Sequence, residues 1–523
     1  MTADDSTGPR KADRLPIRID RSSDENLQIQ IFKAIQSLIT SGRLKPGTPL
    51  PSFREMSEQL GVSKNTVILA CERLICEGYL VTHPGRGTYV SPHLPEQALR
   101  VSQRAPTARE RAELLARRHP TLFQGQLHAI FNPARDKARI DFVVGRPDAD
   151  SFPAALWKQL AERKIAHGQA AMTQYREPAG LGALRQAIAD HLGPARGMNV
   201  AASQVIITGG IQEALNLIAR LLISPDTRVA IESPCYQGAA YVLKSVHADI
   251  VPVPVDEAGL IVDHLPDDPV SVIYVTPSHQ YPLGGTLPLK RRFELLEWAW
   301  ETGAYIVEDD YDSDFRYQGS PLFSLAGLDR HDSVIYLGTF SKSVGAGIRT
   351  GYIVAPPALA EKLGVLKGLL DNGNPWLDQA VLTEFIESGA FYSYLRRMRQ
   401  IYQSRQRALI EALEHHFGAA DVLGIEGGMH LIWRLPSYAM PAPELAARAR
   451  NEGVGIYPLA QGAAEFIATD AQRARLVMLG FTSLDAEAIR EGVRILAGII
   501  TLDAAEREGR GVAAGAPVGQ TLS

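Results

Sequence analysis

From Asp141 onward the chain repeats one pattern that few folds accept: a short β-branched apolar run that ends in polar residues, then a helical stretch. "QVIITGGIQEALNLIARLL" is an apolar strand, a glycine turn and an amphipathic helix. "RVAIESPCY", "SVIYVTPSHQYP", "AYIVEDDY" and "SVIYLGTFSK" repeat the run and its polar end. Runs without polar alternation are buried on both faces, as parallel strands covered by helices are. Ligands in such sheets bind outside the carboxyl ends of the strands. Those ends are where the chemically capable residues of this chain collect.

Lys342 lies in "LGTFSKSVGAGIRTGY", with Arg349 seven places on. A cofactor with an aldehyde, a phosphate and a pyridine ring would use this whole set of strand ends. The aldehyde needs a lysine able to form a Schiff base, and Lys342 qualifies. The pyridine nitrogen needs a carboxylate that keeps it protonated. "IVEDDYDSDF" offers Asp309 and Asp310, with Tyr311 beside them. The phosphate needs backbone amides at a helix N-terminus, supplied by Gly210, Ile211 and Gln212 of "TGGIQEA". Thr339, Ser341 and Arg349 add hydroxyls and a cation, and Tyr236 of "ESPCYQG" adds a ring for stacking. Each residue alone has a plainer explanation: a surface lysine, a solvated Asp-Asp turn, a glycine turn, a packed tyrosine. Their joint order is hard to reach by chance.

That order resembles the fold type I pyridoxal-phosphate enzymes, the aspartate aminotransferase superfamily, over roughly residues 140 to 500. "FVVGRPDADSFP", "YREPAGLGALRQAI", "TPSHQYPLGG", "EDDYDSDF", "GTFSKSVGAGIR" and "LRRMRQIYQSR" carry the likeness. The resemblance implies a large α/β domain over 141–503 with a smaller C-terminal α/β subdomain, and pyridoxal 5'-phosphate as cofactor. It implies that Lys342 forms the Schiff base, Asp309 faces the pyridine nitrogen and Tyr311 the ring hydroxyl. Tyr236 would stack on the ring, and Gly210, Ile211, Gln212, Thr339, Ser341 and Arg349 would hold the phosphate. Tyr175 in "YREPAG" matches a tyrosine that reaches the phosphate across a subunit interface, which implies a head-to-tail homodimer. Arg475 in "ARLVMLGF" stands where aminotransferases clamp a substrate carboxylate, with Arg473 as the other register. "SHQYPLGG" replaces the Asn-Pro-x-Gly of true aminotransferases, so the asparagine that steadies the cofactor oxygen is missing.

The first hundred residues read differently. "DENLQIQIFKAIQSLITSG" puts Ile31, Ile35, Leu38 and Ile39 on one helical face, with Gly42 as its cap. In "PSFREMSEQLGVSKNTVILACERLICEG", Ser52 and Glu55 form a capping box for a helix to about Leu60. "LGV" makes the turn, and Ser63 caps a third helix that ends at Gly78. "YLVT" and "TYV" flank "HPGRG" as a hairpin. The sum is a winged helix-turn-helix over 21–92. Its second motif helix enters the major groove by its N-terminal end, here Ser63, Lys64, Asn65 and Thr66. Lys64 suits guanine acceptors and Asn65 adenine. Arg54 and Arg86 are placed for phosphate or minor-groove contact. The helices alone would fit a protein-docking module equally well, and the "GRG" wing favours DNA. The stretch resembles the DNA-binding domain of GntR-type bacterial regulators. By motif match it assigns contacts to Arg43, Arg54, Lys64, Thr66 and the Gly85–Arg86–Gly87 wing.

A GntR-type head fused to an aminotransferase-like domain resembles the MocR subfamily of bacterial transcriptional regulators. That implies a double-stranded DNA operator, a small amine or amino acid as effector, and Schiff-base exchange at Lys342 as the means of sensing. An aminotransferase with a DNA-binding head, or a regulator that senses pyridoxal phosphate itself, are the other readings. The net charge of -4 over 523 residues argues against a uniformly basic coat and leaves room for a local basic face. Three cysteines, Cys71, Cys76 and Cys235, fit neither a disulfide framework nor a zinc site and read as small buried hydrophobes. No metal site is expected. "MTADDSTGPRKADR" has no apolar core, and no run approaches the roughly 20 apolar residues of a spanning helix, so a cytoplasmic protein is expected. Residues 1 to about 20 are polar and expected to be disordered, 93–140 are expected to link the domains, and 504–523 to form a flexible tail.

Overall fold

The computed structural model describes residues 14–23, 25–95, 107–109, 111, 113, 138–318 and 323–514; beyond 503 only the backbone is described. Most of the expected linker, the start of the chain and the end of the tail lie outside these residues. The chain divides into two compact units, Met1–Gln124 and Gly125–Ser523.

The described residues of the first unit include the helices Leu27–Thr40, Phe53–Leu60 and Lys64–Cys76, and an antiparallel hairpin of Leu80–His83 with Gly87–Val90. Ile31, Ile35, Leu38 and Ile39 are buried, as their spacing requires, and Phe32 joins them. Ile31, Phe32, Ile35 and Ile39 pack with Met56, Val67, Leu74 and Leu80 in one core, where each large apolar side chain contributes about 1.5–3 kcal/mol. Ser52 and Glu55 complete the capping box, with Glu55 N donating to Ser52 Oγ at 3.3 Å and Ser52 N to Glu55 Oε2 at 2.8 Å. Ser52→Ala should therefore cost this unit about 1 kcal/mol, read as a lower melting midpoint. Gly61 ends the helix in the left-handed region at φ 63° and makes the turn that the motif needs. Two expectations change here. The unit begins before residue 21: Leu15 is buried in its core and bonds Gln59 through both backbone groups. Cys76, on the last turn of the third helix, is exposed, whereas Cys71 and Cys235 are buried.

The second unit is built on an eight-stranded sheet. Its order is Val205–Thr208, Gly351–Val354, Val334–Thr339, Tyr305–Asp309, Val272–Val275, Arg228–Ser233, Asp249–Asp256 and Gly259–Leu260. The five strands from Val334–Thr339 to Asp249–Asp256 are parallel, as their uniform apolar runs suggest. Gly259–Leu260 pairs antiparallel at the far edge, and Gly351–Val354 is antiparallel to both its neighbours. Its reversal matters for the site. The chain leaves Thr339, makes the loop that carries Lys342 and Arg349, and returns at Gly351, which pairs with both Thr339 and Thr208. The lysine loop and the "TGG" turn are thereby fixed at one edge of the sheet.

A four-stranded antiparallel sheet, ordered Val422–Leu423, His430–Arg434, Leu476–Gly480 and Tyr457–Pro458, forms the smaller subdomain. The helices Ala390–Phe417, Ala442–Asn451 and Ala486–Ala514 accompany it. Trp433, fully buried, packs here against Phe417 at 4.9 Å between ring centroids. The last helix runs to Ala514, past the boundary expected at 503, because its glycines do not interrupt the backbone ladder. No helix among the described residues is long and apolar enough to cross a membrane.

Candidate functional site

At the carboxyl edge of the large sheet lies a cavity of about 270 Å³. Ile211, Gln212, Tyr236, Asp309, Tyr311, Thr339, Ser341, Lys342 and Arg349 line it, with Tyr274, Tyr281, Met429, His430 and Tyr457 among the others. Parallel register explains the convergence. Asp309 is level with Leu337, two residues before Thr339, and Glu308 is level with Val275, just before the "TPSHQYP" turn.

Lys342 Nζ donates to Gly145 O at 2.9 Å. Burial holds its ammonium below the usual lysine range, against the pull of Asp312 and Asp309. Of the two adjacent aspartates the cavity receives Asp309. Its Oδ2 accepts from Tyr274 OH at 2.6 Å, while Oδ1 is buried with no partner among the described residues. Asp310 points elsewhere, onto Arg196 at 2.6 Å and the Tyr336 hydroxyl. Burial alone would raise Asp310, but Arg196, Ser313 and Tyr336 outweigh it and hold the carboxyl low. Asp309 has no cation bonded to it, and burial first, against the Tyr274 bond and the more distant Lys342, pushes it up to about 7.

At the other end of the cavity, Gly210 precedes the helix Ile211–Leu222 at φ 110°, a conformation that favours glycine. A Cβ there would stand 3.2 Å from Arg349 Nη2, so the guanidinium lies directly over the first amides of the helix. Arg349 is itself left-handed at φ 50°, a conformation a non-glycine residue keeps only when its surroundings impose it. Ser341 N donates to Thr339 Oγ1 at 3.1 Å, and both residues line this end of the cavity. Tyr236 bonds Gln212 Nε2 at 3.3 Å and meets Tyr281 edge-on. The residues fit pyridoxal phosphate: an orphaned buried carboxylate oxygen for a pyridinium, a glycine cradle under a guanidinium for a phosphate, and a desolvated amine between them.

The structure keeps the expected carboxylate clamp, Arg475, out of this cavity. Arg475 spends its guanidinium on the carbonyls of Ala439 (2.9 Å), Leu435 (2.8 Å) and Pro436. The alternative, Arg473, reaches Ile467 O. Both belong to a short helix, Asp470–Arg475, before the strand begins. The strand residue directed at the cavity wall is Met478, whose sulfur abuts Gly462. The lining cations among the described residues are Lys342 and Arg349. Tyr175 is 93% exposed and outside the cavity.

Sequence reasoning missed Tyr281, His430, Tyr457 and Tyr274. Tyr281 was in plain view, since it takes the place of the missing asparagine in "QYPLG". Its hydroxyl donates to Gly462 O at 2.7 Å. Burial drives His430 down to about 3, so it is neutral. Glu232 and Glu308, beneath the cavity, are also pushed up to about 7 by burial. With Asp309 they bind protons more tightly folded than unfolded, where their values are 4.5, 4.5 and 3.8. The stability that these three groups contribute is therefore lost as pH rises through this window, and their contribution is flat above it. The cofactor-free protein should melt at a higher temperature at pH 6 than at pH 8, and Asp309→Asn should remove part of that slope.

In the first unit, Ser63 Oγ accepts from Thr66 N at 3.1 Å and bonds the Thr66 hydroxyl at 2.7 Å. Both hydroxyls are thus engaged in capping. Lys64 and Asn65 beside them are exposed, as are Arg43 and Arg86. Arg54 is exposed and bonds Glu58 at 3.1 Å. Gly85 and Gly87 take φ 73° and 98°, which the tight wing tip requires.

Residues 138–488 match the aminotransferase class I and II family, and residues 27–90 the gntR family of bacterial regulatory proteins. A probable rhizopine catabolism regulatory protein MocR from Rhizobium meliloti is 35% identical over 91% of this chain and 94% of its own length. The pyridoxine biosynthesis transcriptional regulator PdxR of Corynebacterium glutamicum is 34% identical over 80% of this chain and 85% of its own. Among solved structures, α-aminoadipate aminotransferase LysN from Thermus thermophilus superposes with a TM-score of 0.64 at 30% identity, covering 70% of this chain and 93% of that one. Fold and matches define a DNA-binding transcriptional regulator with an aminotransferase-like domain, a fold family that typically binds pyridoxal phosphate. The chain belongs to the MocR subfamily of GntR-type bacterial transcriptional regulators.

Proposed function

We propose that this regulator binds pyridoxal 5'-phosphate in the cavity and uses it to sense a small amine or amino acid. The observation that carries this reading is Lys342, a desolvated amine in the same cavity as the unpartnered Asp309 Oδ1. Bound there, pyridoxal phosphate supplies an aldehyde that joins amines covalently and a ring that accepts electron density. Asp309 would hold a proton on the pyridine nitrogen. Arg349, the Gly210–Gln212 amides, Thr339 and Ser341 would hold the phosphate, and Tyr236 would cover the ring. Burial keeps a larger share of Lys342 neutral than in water, so its amine is nucleophilic and exchangeable. Tyr175, exposed on the monomer, suits a contact in a head-to-tail homodimer. Lys64, Asn65, Arg43, Arg54 and the wing would engage the operator. An effector acts on DNA binding only if it favours one of two conformations.

The test is the visible absorption spectrum of cofactor-loaded protein during titration with a panel of amines and amino acids, beside operator binding. A band shift that persists, with a change in operator affinity, supports a sensor. Loss of the band that a keto acid restores would make the protein an aminotransferase. Operator affinity that answers to pyridoxal phosphate and to no amine would make the cofactor itself the signal.

A further inference from the structure

His279 has no place in the site as the sequence presents it, yet it is buried behind Tyr311. Its Nδ1 lies 2.9 Å from Asp312 Oδ2 and 2.9 Å from the Tyr311 hydroxyl. One ring nitrogen therefore serves two oxygens. A carboxylate can only accept, so Nδ1 carries a proton. The Tyr311 oxygen then meets that N–H as a second acceptor. A phenol has one proton, and with its oxygen on His279 that proton is free to point away, into the cavity that Tyr311 lines.

Packing fixes the arrangement. A Cβ on Gly428 would come within 2.1 Å of His279 Cε1 and 2.8 Å of Asp312 Oδ2. Cβ atoms on Gly284 and Gly424 would stand 3.2 and 3.4 Å from Nε2. Three glycines thus close around the ring and prevent it from turning. Nε2 is buried with no partner among the described residues, as a lone pair in the Nδ1–H tautomer can be at less cost than an N–H.

We infer that His279, held by Asp312, is a positioning residue that turns the Tyr311 hydroxyl proton into the cavity, toward the ring oxygen of the bound cofactor. This rests on pyridoxal phosphate occupying the cavity. Bound there, the cofactor would supply an oxygen whose basicity a donor from Tyr311 would lower, and with it the pH at which the visible band changes. Removing the donor should raise the pH at which the visible band changes. Tyr311 stays a phenol, since burial first and then Asp312 drive its ionisation well above the usual range. The other titratable or charged groups around it are Asp309, Glu232, Tyr281, Lys342 and His430, and they are unchanged in the variants below.

His279, Asp312 and His430 also bring three donor atoms within 4.8 Å of one another, an arrangement that could suggest a metal. A metal would have to take Nδ1 from both its partners or reach Nε2 between two glycine backbones. The hydrogen-bonded reading is the better supported.

The experiment is a pH titration of the visible band in cofactor-loaded, full-length protein. His279→Leu should raise the midpoint by about half to one unit, a ~3- to 10-fold change in the proton equilibrium. His279→Asn, whose amide nitrogen can donate from near the Nδ1 position, should restore it. His279→Gln, which donates from the Nε2 side, should resemble His279→Leu and serves if the leucine variant fails to fold. Tyr311→Phe should also raise the midpoint, and adding His279→Leu to it should change nothing further. A wild-type band whose midpoint ignores both His279→Leu and His279→Gln overturns this inference alone. A wild-type chain without any band overturns the cofactor reading and this inference with it. A midpoint that Zn2+ moves in the wild type and not in His279→Leu would overturn it in favour of a metal.

Discussion

Lys342→Ala should abolish covalent attachment of pyridoxal phosphate. Borohydride reduction of the wild-type chain loaded with cofactor should add the cofactor's mass less one water and plus two hydrogens, and reduction of the variant should add none. Lys342 stands on a loop fixed at both ends by the pairing of Thr339 and Gly351, and its Nζ bonds Gly145 O. No other lysine lines the cavity among the described residues. Noncovalent binding should persist in weakened form, because Arg349, the helix amides and Asp309 are untouched. Lys342→Arg should not rescue attachment, since a guanidinium stays protonated and is no nucleophile. The regulatory consequence is the sharper one: operator binding by Lys342→Ala should no longer respond to an amine. An amine response equal to that of the native protein would defeat the sensing hypothesis.

Lys64→Ala should cost about 1–3 kcal/mol per head, roughly 5- to 150-fold in operator affinity at fixed salt, measured by fluorescence anisotropy. Lys64 is the first residue of its helix, and its side chain is exposed beside Asn65. A lost base contact should hurt the operator more than unrelated DNA. A lost phosphate contact should weaken both alike and make the salt dependence shallower by about one. In either case the visible band and the melting midpoint of the larger unit should stay as in the wild type. A shifted band would show that the variant disturbs more than the DNA-reading surface.

How legible the site was depends on where each residue lies relative to a strand end. Lys342, Arg349, Asp309, Tyr236 and the Gly210 turn all follow or close apolar runs, so the sequence pattern locates them. Tyr457 and His430 come from the smaller subdomain, more than a hundred residues after Asp309 in the case of His430, and no local spacing links them to the cavity. Arg475 was misplaced for a related reason. Its position before an apolar strand suggested a clamp, but the short helix that ends on it turns its guanidinium onto three carbonyls. The boundary at residue 21 failed because "LPIRI" is short beside its polar surroundings, and burial of Leu15 depends on a groove that only the folded helices provide.

The choice between Asp309 and Asp310 shows the division most plainly. By itself the sequence determined a DNA-reading head, an α/β domain with its chemistry at the strand ends, and the set of residue types that a pyridoxal-phosphate site needs. Local periodicity, caps and turns suffice for that, because they act within a few residues. Asp309 closes its strand and Asp310 follows directly, so the two side chains point to opposite sides, and which side holds Arg196 and which holds the cavity is settled by elements distant in the chain. The antiparallel return at Gly351, the three glycines around His279 and the fate of Arg475 were likewise decided by tertiary structure. Each depends on what packs against a residue, and packing partners are not encoded in its neighbours along the chain.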